Sequence, residues 1–165
     1  MLSSDRVSGA HLAGYPRTHA SRVARHDKII DLVAADACRL GWGICQEPAI
    51  PKPAGIRRLD LILDCQDTVI VLDVTIAANN ADLYQAHQHK CGFYNQPGIR
   101  DWVSLSTNVS AASPTFSSVT LNWRGLLAPP SAEVIRTLGL SASSLSLLSV
   151  TGSGHYNDLL HGGPI

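Results

Sequence analysis

Asp60 and Asp73 stand thirteen positions apart, each on an apolar segment of strand type, and Lys90 follows on a segment of helical pattern. The segments read Arg58-Leu59-Asp60-Leu61-Ile62-Leu63 and Val69-Ile70-Val71-Leu72-Asp73-Val74-Thr75-Ile76. An acid among apolar strand residues is costly to bury unless its charge is compensated. One divalent cation shared by both carboxylates compensates both. Phosphodiester hydrolysis needs such a cation, an activated water and stabilisation of the leaving oxygen. Carboxylates are natural Mg²⁺ ligands, one or two of them joined by water and phosphate oxygens. The residues thus read as a nuclease centre. Asp60, Asp73 and the backbone carbonyl of Val74 hold Mg²⁺ (or Mn²⁺), and Lys90 meets the scissile phosphate or orients the attacking water. The same spacing also fits a buried aspartate pair held by lysine or backbone donors, with no catalysis.

Two carboxylates share an ion only if their strands lie side by side. The short link Cys65-Gln66-Asp67-Thr68 allows an antiparallel hairpin, with Asp64 and Asp67 as turn residues. Upstream, Val23, Ile29, Ile30, Val33, Ala34 and Ala37 recur at helical spacing from residue 21 or 22 to 40, and Gly41 is the stop. A short strand is expected from Gly43 to Pro48, then a loop marked by Pro48, Pro51, Pro53 and Gly55. Downstream, Asn79 and Asn80 cap a helix from Ala81 to about Asn95 that carries Lys90, and Pro97-Gly98 ends it. Residues 101–106 and 118–123 read as strands, and 106–118 as a Ser/Thr/Ala-rich loop. Ser131 caps a helix carrying Val134, Ile135 and Leu138. Ser141 caps another with Leu145, Leu147 and Leu148, before a Gly-rich tail. The expected fold is α/β, a mixed central sheet flanked by helices.

The 165 residues suit one domain, and 45% apolar content is enough for a core. No apolar run reaches the roughly 18 residues of a spanning helix, and residues 1–14 lack a signal-peptide h-region, so the chain reads as intracellular with no membrane partner. Cys38, Cys45, Cys65 and Cys91 show no paired metal spacing and read as reduced thiols. Net charge is zero, yet residues 1–58 hold nine Lys/Arg against five Asp/Glu, and residues 59–165 hold four against eight. A basic half beside an acidic metal pocket suits a polyanionic substrate, though a solvated helix face gives the same pattern.

Other residues are open to more than one reading. His26 either contacts a phosphate or packs. Glu47 either adds a carboxylate to the ion or sits at a strand end. Arg57 and Arg58, with Arg25, are candidates to position DNA phosphates. His87, His89 and Cys91 offer a partial zinc set, but no fourth ligand is evident.

The residues between these motifs extend the pattern. Gly55-Ile56-Arg57-Arg58-Leu59-Asp60, Leu72-Asp73-Val74-Thr75-Ile76, and Lys90 followed by Tyr94 resemble the restriction-like endonuclease of site-specific non-LTR (LINE-type) retrotransposon polyproteins. That enzyme belongs to the PD-(D/E)XK superfamily. Pro16-Arg17-Thr18-His19, Arg25-His26-Asp27, Gly41-Trp42, Glu47-Pro48 and Trp123-Arg124-Gly125 are similar to flanking segments of the same family. The resemblance implies a restriction-endonuclease-like fold. It also implies that Asp60 and Asp73 are the two acids and that Lys90 is the lysine displaced onto the following helix, with Thr75 at the usual strand-lysine position. Tyr94 matches an aromatic that positions DNA or the lysine, although a core tyrosine fits equally.

The implied activity is nicking of target DNA for target-primed reverse transcription, in the nucleus. The implied partners are DNA and, in the parent element, reverse transcriptase and element RNA; the oligomeric state stays open. Residues 21–125 would form the nuclease core and 126–165 a helical segment and tail. Residues 1–20 would be a loose remnant of an upstream zinc knuckle, of which only His11 remains. Leu59 replaces the family's proline before the first acid. With knuckle and polymerase missing, a non-catalytic nucleic-acid-binding remnant is the alternative, and a protein-interaction module a third.

Overall fold

The computed structural model describes residues 15–107, 109, 113–141, 143–144 and 146–147. Helix α1 (Tyr15–Arg39) opens the chain, followed by strands β1 (Gly43–Gln46), β2 (Ala49–Lys52), β3 (Gly55–Arg58), β4 (Leu61–Cys65) and β5 (Thr68–Ala77). Then come α2 (Leu83–Tyr94), α3 (Pro97–Ser106), β6 (Thr115–Asn122) and α4 (Pro129–Thr137). The main sheet has the order β1-β4-β5-β6, antiparallel except for the parallel pair β5 and β6; β2 and β3 form a separate antiparallel hairpin. This is the expected α/β architecture, a mixed sheet flanked by helices.

Alternation along β5 divides its side chains between two cores. Ile70, Leu72, Val74 and Ile76 pack with Leu61, Leu63, Val119 and Leu121 against Ile29, Ile30, Val33 and Ala37 of α1 and Ile135 of α4. Val69 and Val71 join Ile62 on the opposite face, against Ile99 and Val103 of α3 and Leu59. Asp73 and Thr75 continue that second row past the end of its apolar part.

Several elements differ from expectation. Helix α1 already includes Tyr15, the first described residue, so residues 15–20 are helical rather than loose, and it stops before Gly41, whose φ is +90°. The proline-rich stretch holds the β2/β3 hairpin, with Pro51 opposite Ile56. Such prolines are compatible with strands that have an open edge. Asp82, not Asn79 or Asn80, caps α2 by accepting the Gln85 N–H at 3.0 Å. Residues 101–106 are helical, because Pro97 begins a helix rather than ending one. Ile99 and Val103, one turn apart, bury its inner face. Asp64 pairs within β4, opposite Val69, rather than in the turn.

Ser131 lies inside α4 behind the cap residue Ala128. Its hydroxyl serves the outer edge of β6, donating to the Ser118 carbonyl at 2.7 Å and accepting the Thr120 N–H at 2.9 Å. A second helix start at Ser141 is marked by the Ser144 N–H on its hydroxyl at 3.3 Å. The Gly-rich tail, His11, and Leu145 and Leu148 lie outside the described residues.

Candidate active site

The site arises from a mismatch in strand length. β5 runs for ten residues and β4 for five, and their ladder ends at the pair Leu61 and Leu72. One step further in the same register, Asp60 faces Asp73, and Asp73 in turn lies beside Ser118 of β6. Directly opposed positions share a face and bring their side chains close. Beyond this point β4 has left, and the β5 edge is open. The Asp60 carboxylate fills part of the gap, accepting the Val74 N–H on Oδ2 at 2.7 Å. The carbonyl of a strand residue points to the same edge as its N–H, so the Val74 oxygen faces this opening too.

A cavity of about 340 Å³ occupies the gap. Asp60, Asp73, Thr75, Lys90 and Tyr94 line one part, and His19, Arg22 and His26 of α1 line another. Asp73 is 5% exposed. Its Oδ2 accepts the Thr75 hydroxyl at 2.6 Å and lies 3.7 Å from Lys90 Nζ. Burial pushes its carboxyl above the usual carboxylate range, and the Asp60 charge adds to this, while bonds from Thr75 and Tyr94 and the Lys90 charge oppose it.

His26 Nε2 lies 3.2 Å from Asp60 Oδ2, and Nδ1 lies 3.1 Å from Asp27. The bond to Asp60 chiefly, with help from Asp27 and against burial, raises His26 to about 9, so it is a cation at neutral pH. The Tyr94 phenol is pushed up by burial and by the two carboxylates and stays protonated. Its ring lies 5.8 Å from Lys90 Nζ.

Asp60, Asp73, Val74, Lys90, Tyr94 and His26 therefore share one cavity. Four other candidates lie elsewhere. Glu47 occupies the next position along the cross-strand row and donates its backbone N–H to the Asp60 carbonyl at 2.9 Å, but its exposed side chain does not line the cavity. The Arg25 guanidinium stacks 4.4 Å from the Trp123 ring and donates to the Trp123 carbonyl at 3.3 Å. Arg57 stacks 4.4 Å from the Phe93 ring, and Arg58 is exposed on the hairpin. The partial zinc set is dispersed: His87 is buried against Ser131 at 3.0 Å, and His89 stacks on Phe93.

The charge pattern places Arg22, with His19 near it, only in a general basic face suited to a polyanion, and the structure brings both to the cavity wall. The spacing 19, 22, 26 places them with His26 on one helix face, which was the available signal.

Among the described residues no group of three or more His, Cys, Asp or Glu side chains is placed to hold a metal. A cation here would rest on two carboxylates and a backbone carbonyl, a hard oxygen set that suits Mg²⁺ or Mn²⁺ and not zinc. The burial of Asp73 opposite a second acid fits such an ion, because a cation compensates both charges.

An α/β fold carrying a paired-acid cavity is thus the class that the geometry defines. The chain is related to a region of R2 retrotransposon Pol polyproteins. It is 31% identical over 125 residues to the retrovirus-related Pol polyprotein from the type-2 retrotransposable element R2DM of Drosophila melanogaster, covering 75% of this chain and 12% of the relative. The Pol polyprotein from the type-1 element R2 of Nasonia vitripennis is 29% identical over 129 residues, covering 76% and 12%. That of Popillia japonica is 28% identical over 140 residues, covering 84% and 29%. The chain thus spans 12% of the length of the first two relatives. No protein-family model matches it. No described helix is long and apolar enough to cross a membrane.

Proposed function

We propose that the chain is a metal-dependent DNA endonuclease of PD-(D/E)XK type from an R2-like retrotransposon polyprotein. It nicks target DNA and leaves a 3′-hydroxyl that primes reverse transcription. Its partners in the parent element are reverse transcriptase and element RNA, and its setting is the nucleus. The observation that carries the reading is the opposed pair Asp60 and Asp73 at the open end of β5, with Lys90 on one carboxylate and a basic helix face across the cavity. The relationship to R2 Pol polyproteins supports it.

Asp60, Asp73 and the Val74 carbonyl would hold the cation, which supplies charge neutralisation at the phosphate. Thr75 fixes the Asp73 carboxylate through its 2.6 Å bond. Lys90, about a third exposed, can leave Asp73 for a phosphate oxygen or a water. Tyr94, a protonated phenol beside the Lys90 ammonium, holds that side chain in the cavity.

The test is nicking of supercoiled plasmid with Mg²⁺ or Mn²⁺, with EDTA as control. The expected result is metal-dependent cleavage lost in Asp60→Ala and Asp73→Ala. Undiminished cleavage by either variant refutes the mechanism. A second reading, a nucleic-acid-binding remnant that does not cut, is favoured by one feature: His26 and Lys90 already pair with the two acids from within. DNA binding with no cleavage under any metal selects it.

A further inference from the structure

The α1 wall of the cavity has a feature that paired acids alone do not require. His19, Arg22 and His26 all line it, three and then four residues apart. Arg22 has no ion pair among the described residues and is exposed. Arg25, on the same helix, is spent on Trp123 through both its stack and its hydrogen bond. One arginine is therefore structural, and the other is aimed at the opening beside the acids. A guanidinium is permanently charged and matches phosphate oxygens with two parallel N–H donors.

Helix geometry sets where such a phosphate lies. Four residues of α-helix separate Arg22 from His26, about 6 Å of axis at 1.5 Å per residue. His26 marks the acid end, since it touches Asp60. A B-DNA strand rises about 3.4 Å of duplex axis per phosphate, so with α1 lying along the duplex about 6 Å corresponds to one or two nucleotide steps. Resting on the nuclease reading for the position of the scissile phosphate, we infer that Arg22, flanked by His19, binds the DNA backbone one or two phosphates away from the one at Asp60 and Asp73. The α1 face is then a track for the flanking strand, opposite Lys90.

The experiment measures binding of a short DNA duplex by the whole chain in EDTA, across a salt series, for wild type, Arg22→Gln, Arg22→Lys and Arg25→Gln. No metal-dependent cleavage runs in EDTA, so the result decides the track whether or not the chain cuts DNA. Arg22→Gln is expected to weaken binding about tenfold at low salt and to reduce the slope of log K against log salt by about one. Arg22→Lys restores the slope, because the charge is kept. Arg25→Gln lowers thermal stability and keeps the slope. An unchanged slope in Arg22→Gln, an equal loss in Arg25→Gln, or no DNA binding by wild type overturns the inference. No nicking of plasmid by wild type with any metal, with the Arg22 effect intact, would overturn the nuclease reading and leave the α1 track standing.

Discussion

Replacing Asp73 with asparagine is expected to stabilise the metal-free protein while removing its response to metal. Asp60 and Asp73 are opposed across an antiparallel pair, where Cβ atoms lie about 4.5–5.5 Å apart. Replacing the charge relieves the cost of its burial first and its repulsion by Asp60, itself held by His26, second, together about 2–3 kcal/mol. Lys90 is 32% exposed, so its attraction to Asp73 returns only about 1 kcal/mol. Asparagine keeps an oxygen for the Thr75 hydroxyl and removes the buried charge. The net gain is about 1–2 kcal/mol, or a Tm rise of about 3–6 °C for a chain of this size. A carboxyl whose pKa is raised by folding costs stability fully above that raised value and not at all below its ordinary one. The difference between wild type and variant therefore closes as the pH is lowered. The assay is thermal unfolding at pH 7.5 in EDTA and in excess Mg²⁺. Wild type gains about 2.7 kcal/mol at a hundredfold excess over Kd, and the variant gains nothing. A fall in Tm on Asp73→Asn in EDTA would refute the reasoning. It would mean that Thr75, Lys90 and Tyr94 already hold Asp73 as a structural acid.

Two further outcomes follow from the β6 edge. Ser131→Ala strands the buried Thr120 N–H and Ser118 carbonyl, and the expected cost is at least about 2 kcal/mol by urea unfolding with an unchanged m value. A loss below about 0.5 kcal/mol would show that the edge is satisfied in another way. Burial lowers the pKa of His87, so the unfolded chain binds its proton first as pH falls below about 6.5. Stability should decline from there towards the lower folded value, and His87→Gln should flatten that decline; parallel curves would contradict it.

The acids were legible because strand alternation and a short hairpin link put Asp60 and Asp73 on one face. Their partners were only half legible. His19, Arg22 and His26 follow helical spacing, but nothing local reveals that Arg25 is engaged by Trp123, 98 residues away. Pro97 reads equally as the end of one helix and the start of the next, and the choice is made by Ile99 and Val103 packing under Val71 and Ile62. Glu47 lies outside the cavity for a related reason. Its backbone, at φ 48°, serves the strand row, and its side chain is left exposed outside the cavity.

The turn between β4 and β5 acts as a ruler for chemistry that it never touches. Gln66, at φ 51°, closes the hairpin with Cys65 opposite Thr68, and counting outward from that closure brings Asp60 opposite Asp73. Side chains alternate between faces with a period of two, so one residue inserted at Gln66 or Asp67 that shifts the register would send one acid to the α1 side of the sheet. Surface turns ordinarily absorb insertions and deletions; one here would reach the cavity only by moving the register against the two cores, and would then do what a point mutation of either acid does.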